Sequence, residues 1–142
     1  MLDLIIRNGQ CYINGELKNV DVAIKDGKIQ QIGQISDEAK EIVNAEGQTV
    51  LPGCIDTQTH FREPGSTDTE DLHSGSRAAI VGGITSVFEM PNTNPPTSTK
   101  TEFQRKLDLA KNRMYCNYAF YFGATADNAS ELADLKNLEG CC

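Results

Sequence analysis

The chain has 142 residues and a formal net charge of −7, with 13 basic against 20 acidic side chains. Hydrophobic residues make up 39% and charged residues 23%, which excludes a disordered chain and indicates a globular one. Nucleic acid and anionic membrane are excluded as partners because both require a basic surface. An anionic small molecule is not excluded, since one local arginine can outweigh a diffuse negative field.

The cysteines indicate a reducing compartment. There are five of them, an odd number at irregular spacing and without a CxxC pair, which is typical of reduced thiols in the cytoplasm. The first residues contain neither a basic segment nor a long apolar stretch, so export and membrane insertion are not predicted.

Short β-strands are predicted throughout residues 1–52. Apolar or alternating runs are separated by the turn dipeptides Asn8–Gly9, Asn14–Gly15 and Asp26–Gly27. Such dipeptides predict hairpins of an antiparallel sheet or sandwich. About five strands are too few for a complete sandwich, so we predict the amino-terminal part of a composite β-sandwich.

Strands and helices alternate from residue 53 onward. A strand over 54–60 is followed by a helix over 69–82, at whose start Thr67 and Glu70 have the spacing of a capping box. A strand over 84–90 precedes a second helix, where Thr99 and Glu102 have the same spacing. The buried stripe predicted for that helix is Phe103, Leu107 and Ala110.

A third strand over 116–122 and a third helix from about Asn128 to Gly140 complete the pattern. Strands recurring about every thirty residues are typical of βαβ units and of a parallel sheet. We predict an α/β fold in which residues 53–142 form the first three βα units of a (β/α)8 TIM-type barrel. A complete barrel needs about 250 residues.

Four polar residues lie at or just after the carboxyl ends of the first two of these strands. Gln58 and His60 are two residues apart, so they point to the same side of a strand. Arg62 lies in the loop that follows, and Asn92 comes just after the second strand. Barrel enzymes build their sites at the carboxyl ends of the strands, so His60, Arg62 and Asn92 are predicted to converge.

Three segments around these residues, 52–65, 78–85 and 90–96, resemble the dihydroorotases of the amidohydrolase superfamily, and the preceding β-segment resembles that superfamily's first half-sandwich. The resemblance covers the chain but only the amino-terminal third of such an enzyme. It implies the interconversion of dihydroorotate and N-carbamoyl-L-aspartate in pyrimidine biosynthesis. Allantoinase is the less favoured cyclic amidohydrolase, because the family's relatives differ in the loops containing Arg62 and residues 90–96.

The resemblance also implies roles for single residues. Arg62 and Asn92 would bind the substrate carboxylate, for which guanidinium offers a bidentate fork. His60 would bind zinc, of which the complete enzymes hold one or two ions. Gln58 stands where the family commonly has a second histidine, so it is either a weak metal ligand or a donor to one. No catalytic residue is assigned within the chain, because the family's proton-shuttling aspartate comes later.

Each of these residues also has a purely structural interpretation. His60 can be a hydrogen-bonded strand end, Arg62 a surface ion-pair partner of Glu63, and Asn92 a turn residue. Asp56 is predicted to order the end of its strand. His73 is predicted to be exposed on the first helix.

Gln58 favours a non-enzymatic function as the second candidate. A catalytically silent dihydroorotase-like protein could be a structural partner of aspartate carbamoyltransferase, and a homodimer is also open. We expect the 142-residue chain alone to be inactive and marginally stable, because an incomplete barrel has an open strand edge and would expose inner residues such as Ile55 and Val87.

Overall fold

A computed structural model describes all residues from Met1 to Cys142. The chain divides into two compact units, Met1–Pro52 and Gly53–Cys142. Neither unit contains a helix that is long and apolar enough to cross a membrane.

The Met1–Pro52 unit consists of seven strands in two small sheets. One sheet has the order β5-β4-β1-β6 and the other the order β3-β2-β7. The strands are β1 Leu2–Arg7, β2 Gln10–Ile13, β3 Glu16–Asn19, β4 Asp21–Lys25, β5 Lys28–Gly33, β6 Ala39–Asn44 and β7 Thr49–Val50. Its core is small and contains Ile5, Ala23 and Ile35.

Two of the three predicted hairpins are present. Asn14–Gly15 joins β2 to β3, and Asp26–Gly27 joins β4 to β5, in each case between antiparallel strands. All four of these turn residues have positive φ angles, which asparagine, aspartate and glycine tolerate best. The turn dipeptides therefore predicted these hairpins correctly.

The purely antiparallel sheet is wrong, and so is the hairpin at Asn8–Gly9. β1 pairs in parallel with β6, and β2 in parallel with β7, so the chain passes from one sheet to the other at Gly9. A Cβ atom at Gly9 would lie 2.7 Å from Val50 Cγ2. This glycine is required for close packing, a use that the sequence does not distinguish from a turn.

The Gly53–Cys142 unit contains a parallel sheet with the order β10-β9-β8. Its elements are β8 Cys54–Thr59, α1 Leu72–Val81, β9 Ile84–Glu89, α2 Lys100–Ala110, β10 Asn117–Phe120 and a 3-10 helix over Leu132–Asn137. Residues 140–142 lie beside β10: the Phe120 N–H donates to Gly140 O at 2.8 Å, and the Cys142 N–H donates to Phe120 O at 3.1 Å. The last residues thus begin to pair in parallel beside β10.

One of the two predicted capping residues, Thr99, is correct, and the other, Thr67, is wrong. Thr99 caps α2, and its hydroxyl accepts from the Glu102 N–H at 3.2 Å. The capping box at Thr67 and Glu70 is wrong, because α1 begins later, with Asp71 as its cap and Ser74 as the reciprocal partner. Residues 67–70 belong instead to the loop that follows β8.

The third α-helix is also wrong, since only the 3-10 helix Leu132–Asn137 forms there. Asn128 does not cap a helix. Its Nδ2 donates to Ser98 O and Gly123 O, and its Oδ1 accepts from the Thr125 N–H. The side chain that suggested a helix start is used to hold loops together.

The core of the Gly53–Cys142 unit lies between the sheet and its helices. It contains Phe103 and Ala110 of the predicted stripe together with Leu72, Val87 and Phe120. Val87 is fully buried on this side, so its predicted exposure as an inner-layer residue is wrong. Ile55 is 60% exposed, as predicted.

Candidate active site

Two polar loops meet at the carboxyl ends of β8 and β9. The first loop comprises residues 60–71 and the second loop residues 90–99. The Asn94 N–H donates to Pro64 O at 3.1 Å. Gly65 has φ +124°, and a Cβ atom there would lie 3.0 Å from Asn94 O. The loops are therefore in direct backbone contact, which only glycine permits at this position.

His60 and Asn92 are brought together where these loops begin. His60 Nδ1 lies 2.9 Å from Asn92 Oδ1. An amide oxygen accepts, so the ring donates through Nδ1–H, and in the neutral imidazole Nε2 keeps a free lone pair. Both side chains are exposed, which leaves that nitrogen accessible to a ligand.

Arg62 and Asn92 line a common cavity of about 120 Å³ between the loops. Its walls are Phe61, Arg62, Pro64, Ser66, Asn92, Thr93 and Asn94. The structure thus places His60, Arg62 and Asn92 together at one strand end. The lining is mostly polar, and its strongest donor is the Arg62 guanidinium.

Arg62 has no carboxylate partner in the chain, because Glu63 pairs with Arg113. The two Glu63 oxygens accept from Arg113 Nη1 at 2.7 Å and Nη2 at 3.0 Å. Glu63 also accepts from the Leu72 N–H at 2.9 Å, at the start of α1. The ion pair between Arg62 and Glu63 that the sequence left open is not formed, and Arg62 is free to bind a ligand.

The Glu63–Arg113 pair attaches the first loop to both helices. Arg113 Nη2 also lies 3.6 Å from Asp71, the cap of α1. The hydrogen bonds that Arg113 donates to Glu63 raise the pKa of Arg113. The bonds from the Ser74 backbone and hydroxyl lower the pKa of Asp71. Both groups are therefore held in their charged forms.

Gln58 is on β8 but is not part of the cavity wall. The register of β8 against β9 shifts between Asp56 and Thr59. Asp56 Oδ1 accepts from the Gln58 N–H at 3.0 Å within this irregularity, so Asp56 orders the end of the strand. The Gln58 side chain is exposed and forms no hydrogen bond.

A buried ion pair next to the site was not predicted from the sequence. Glu89 and Lys106 have fully buried side chains whose Oε1 and Nζ lie 3.4 Å apart. Burial raises the pKa of the Glu89 carboxyl and lowers the pKa of the Lys106 ammonium, while their mutual attraction opposes both shifts. Lys106 follows Phe103 by three residues, a spacing that could have placed it on the buried stripe.

The residues of this chain do not by themselves fit a zinc centre. No group of three or more histidine, cysteine, aspartate or glutamate side chains is close enough to hold a metal ion. A catalytic zinc takes about three protein ligands, and His60 is the one imidazole at the loops. The other histidine, His73, is exposed and faces the Tyr115 hydroxyl at 3.2 Å.

Comparison with known proteins extends these observations. The family model described as "Amidohydrolase family" matches residues 49–139. An allantoinase of Escherichia coli O1:K1 is 41% identical over 137 residues, which are 96% of this chain and 30% of that protein. The chain thus spans about 30% of the length of the curated relatives it matches.

Solved structures of cyclic amidohydrolases are also similar to this chain. An L-hydantoinase (dihydropyrimidinase) from Arthrobacter aurescens is 30% identical with a TM-score of 0.85, over 96% of this chain and 31% of that one. A dihydropyrimidinase from Brevibacillus agri NCHU1002 is 28% identical with a TM-score of 0.80, over 99% and 32%. The predicted fold class, a partial barrel preceded by β-sheets, is confirmed. The chain belongs to the amidohydrolase family.

Proposed function

We propose that the full-length polypeptide carrying this chain hydrolyses a cyclic amide, and that its preferred ring is allantoin. One observation in the structure supports substrate binding at the loops: Arg62 is without a protein partner beside Asn92 and His60. The choice of allantoin follows from the allantoinases, which are 41% identical across nearly the whole chain. This proposal reverses the preference that the loop motifs alone suggested.

The chain's own residues explain how a ring would be bound. The Arg62 guanidinium and the Asn92 amide can both donate to carbonyl oxygens of a cyclic amide. His60 can accept a proton or a metal ion at Nε2 while Asn92 holds its Nδ1–H. Binding and orientation are thus the contributions of this part of the protein.

Dihydroorotate is the second candidate ring, and the same arginine favours it. Dihydroorotate has a carboxylate, which allantoin lacks, and a free guanidinium is the preferred bidentate partner of a carboxylate. A dihydroorotase therefore remains our alternative proposal. The two substrates differ in the group that Arg62 would contact.

Turnover by the purified full-length polypeptide distinguishes these proposals. Ring opening of allantoin, hydantoin and dihydroorotate would be followed with enzyme prepared in the presence of zinc. We expect allantoin to give the largest kcat/KM. A larger value for dihydroorotate would replace the first proposal with the second. No opening of any ring would contradict both and support the silent partner of aspartate carbamoyltransferase.

We also propose that His60 supplies one metal ligand and that Gln58 limits how firmly metal is retained. An amide oxygen binds zinc more weakly than an imidazole. We expect fewer than two tightly bound zinc ions per polypeptide after mild chelation, and more in Gln58→His, measured by elemental analysis. His73→Gln should retain the wild-type amount. Two retained ions in the wild type would contradict the proposal.

A further inference from the structure

We propose that the buried Glu89–Lys106 pair is a positioning device that fixes His60 and Asn92 against each other. It deepens the proposed function, because it concerns how the residues of that site are held. Glu89 is the last residue of β9, and Lys106 lies on α2. Neither side chain reaches the cavity, so both act through the backbone of the site.

Glu89 holds the residues on both sides of His60. Its Oε2 accepts from the Phe61 N–H at 2.9 Å and from the Thr59 hydroxyl at 3.1 Å. The Thr59 hydroxyl also lies 3.1 Å from Phe88 O. Since an ionised carboxylate can only accept, both contacts draw the backbone around His60 toward one buried oxygen.

Lys106 holds the start of the second loop. Its Nζ donates to Met90 O at 3.1 Å, two residues before Asn92. Its further contacts are Glu89 Oε1 and the face of the Phe120 ring, 5.2 Å from the centroid. The ion pair therefore couples the segment of His60 to the segment of Asn92, whose side chains meet at 2.9 Å.

Stability alone does not account for a charged pair at this place. The surrounding core is apolar and aromatic, with Val87, Phe103 and Phe120 as neighbours in the cluster. Well-packed apolar residues of similar volume are often as stable as a buried ion pair, because both charges lose their hydration. What apolar residues cannot supply is an acceptor for Thr59 and Phe61 together with a donor for Met90.

The test is the tautomer of His60 in the metal-free full-length polypeptide labelled with 15N-histidine. Spectra would be recorded at about pH 8.5, well above the pKa of a free imidazole. The signals of His60 and His73 are assigned by their loss in His60→Gln and His73→Gln. In the wild type we expect His60 to be mainly the Nδ1–H form, because Nδ1 faces Asn92 Oδ1. A free imidazole favours the Nε2–H form instead.

Two variants remove contacts of the Glu89–Lys106 pair, and a third variant is the matched control. Thr59→Val removes the hydroxyl that contacts Glu89, and Glu89→Gln removes the charge that Lys106 pairs with. Thr57→Val makes the same change two residues away on β8, where the side chain has no hydrogen bond. We expect the ratio of Nδ1–H to Nε2–H at His60 to fall about fivefold in Thr59→Val, corresponding to about one hydrogen bond. Glu89→Gln should lower it at least as much.

His73 should give unchanged signals in every variant. An unchanged His60 ratio in Thr59→Val, or an equal change in Thr57→Val, would overturn the proposal. If Glu89→Gln does not fold, Thr59→Val decides the question alone. The spectra are recorded without substrate, so an inactive polypeptide would contradict the proposed function and leave this test intact.

Discussion

The two units of the chain differ in what they bury. All six buried polar or charged side chains are in the Gly53–Cys142 unit, and none is in the Met1–Pro52 unit; they are Glu63, Ser76, Glu89, Thr97, Lys106 and Asn128. In the Met1–Pro52 unit the ion pairs are on the surface, such as Lys40 with Asp3. Burying a polar group costs folding free energy unless the group is hydrogen-bonded. Each of these side chains therefore indicates a structural requirement at its position.

For five of these six residues that requirement is the shape of the loops; the exception is Ser76, whose hydroxyl contacts His73 O and the Tyr115 N–H. Glu63 holds the first loop to α1, Glu89 and Lys106 hold the two strand ends, and Asn128 holds Ser98 at the end of the second loop. Buried polar side chains are therefore concentrated around the candidate site. Substitutions should therefore have large effects at these positions and small effects at surface pairs.

The largest effect is expected for Lys106→Met. The change leaves the Glu89 carboxylate buried without its counter-charge, which costs about 3 kcal/mol of unfolding free energy. Urea denaturation followed by circular dichroism would measure it. Lys40→Met is the matched control, because it removes a lysine from an exposed pair, and it should be nearly neutral. Equal losses in the two variants would remove the contrast between the units.

A smaller loss is expected for Arg113→Met. Glu63 is buried, whereas Arg113 keeps about a third of its side chain exposed, at 35%. The cost should therefore be about 2 kcal/mol, below the value for a fully buried pair. Arg105→Met is the control, since Arg105 pairs with Glu102 on the surface of α2. An unchanged free energy of unfolding in Arg113→Met would mean that the first loop is held by other contacts.

The smallest effect is expected for Asp71→Asn, and it should depend on pH. Hydrogen bonds from Ser74 lower the pKa of Asp71 in the folded chain. A lowered pKa contributes stability above the unfolded value, about 4, and that contribution is lost as the pH falls through the folded value. Asparagine keeps the capping oxygen without this linkage.

The wild type should therefore be more stable than Asp71→Asn at neutral pH, and the difference should vanish in acid. Thermal unfolding at a series of pH values would measure it. A difference that stays constant down to the acid limit would show that the charge of Asp71 is not responsible.

Local chemistry explains which features could be predicted. Hairpins at Asn14–Gly15 and Asp26–Gly27, and the cap at Thr99, depend on residues within a few positions of one another. The alternation of strands and helices and the convergence of His60, Arg62 and Asn92 follow from the parallel arrangement of strand ends. These features need no knowledge of distant partners.

The features that could not be predicted depend on distant partners. Glu63 and Arg113 are fifty residues apart, and nothing in the sequence shows that Glu63 would pair there instead of with Arg62. Gly9 and Asn128 have turn chemistry but serve packing and loop contacts. Lys106 has the spacing of the buried stripe, but a lysine is seldom fully buried unless it is paired, and its partner Glu89 is seventeen residues away.

The most direct test of this account is the effect of Arg62→Lys on turnover of the ring that the full-length polypeptide opens fastest. Arg62 is free because Glu63 pairs with Arg113, so we expect the guanidinium to bind substrate. A lysine cannot form the same fork. We expect kcat/KM to fall about tenfold or more, the loss of one charge-assisted hydrogen bond. Arg77→Lys, an exposed arginine on α1, should be unchanged. Equal kcat/KM values for Arg62→Lys and the wild type would show that the Arg62 guanidinium does not bind substrate.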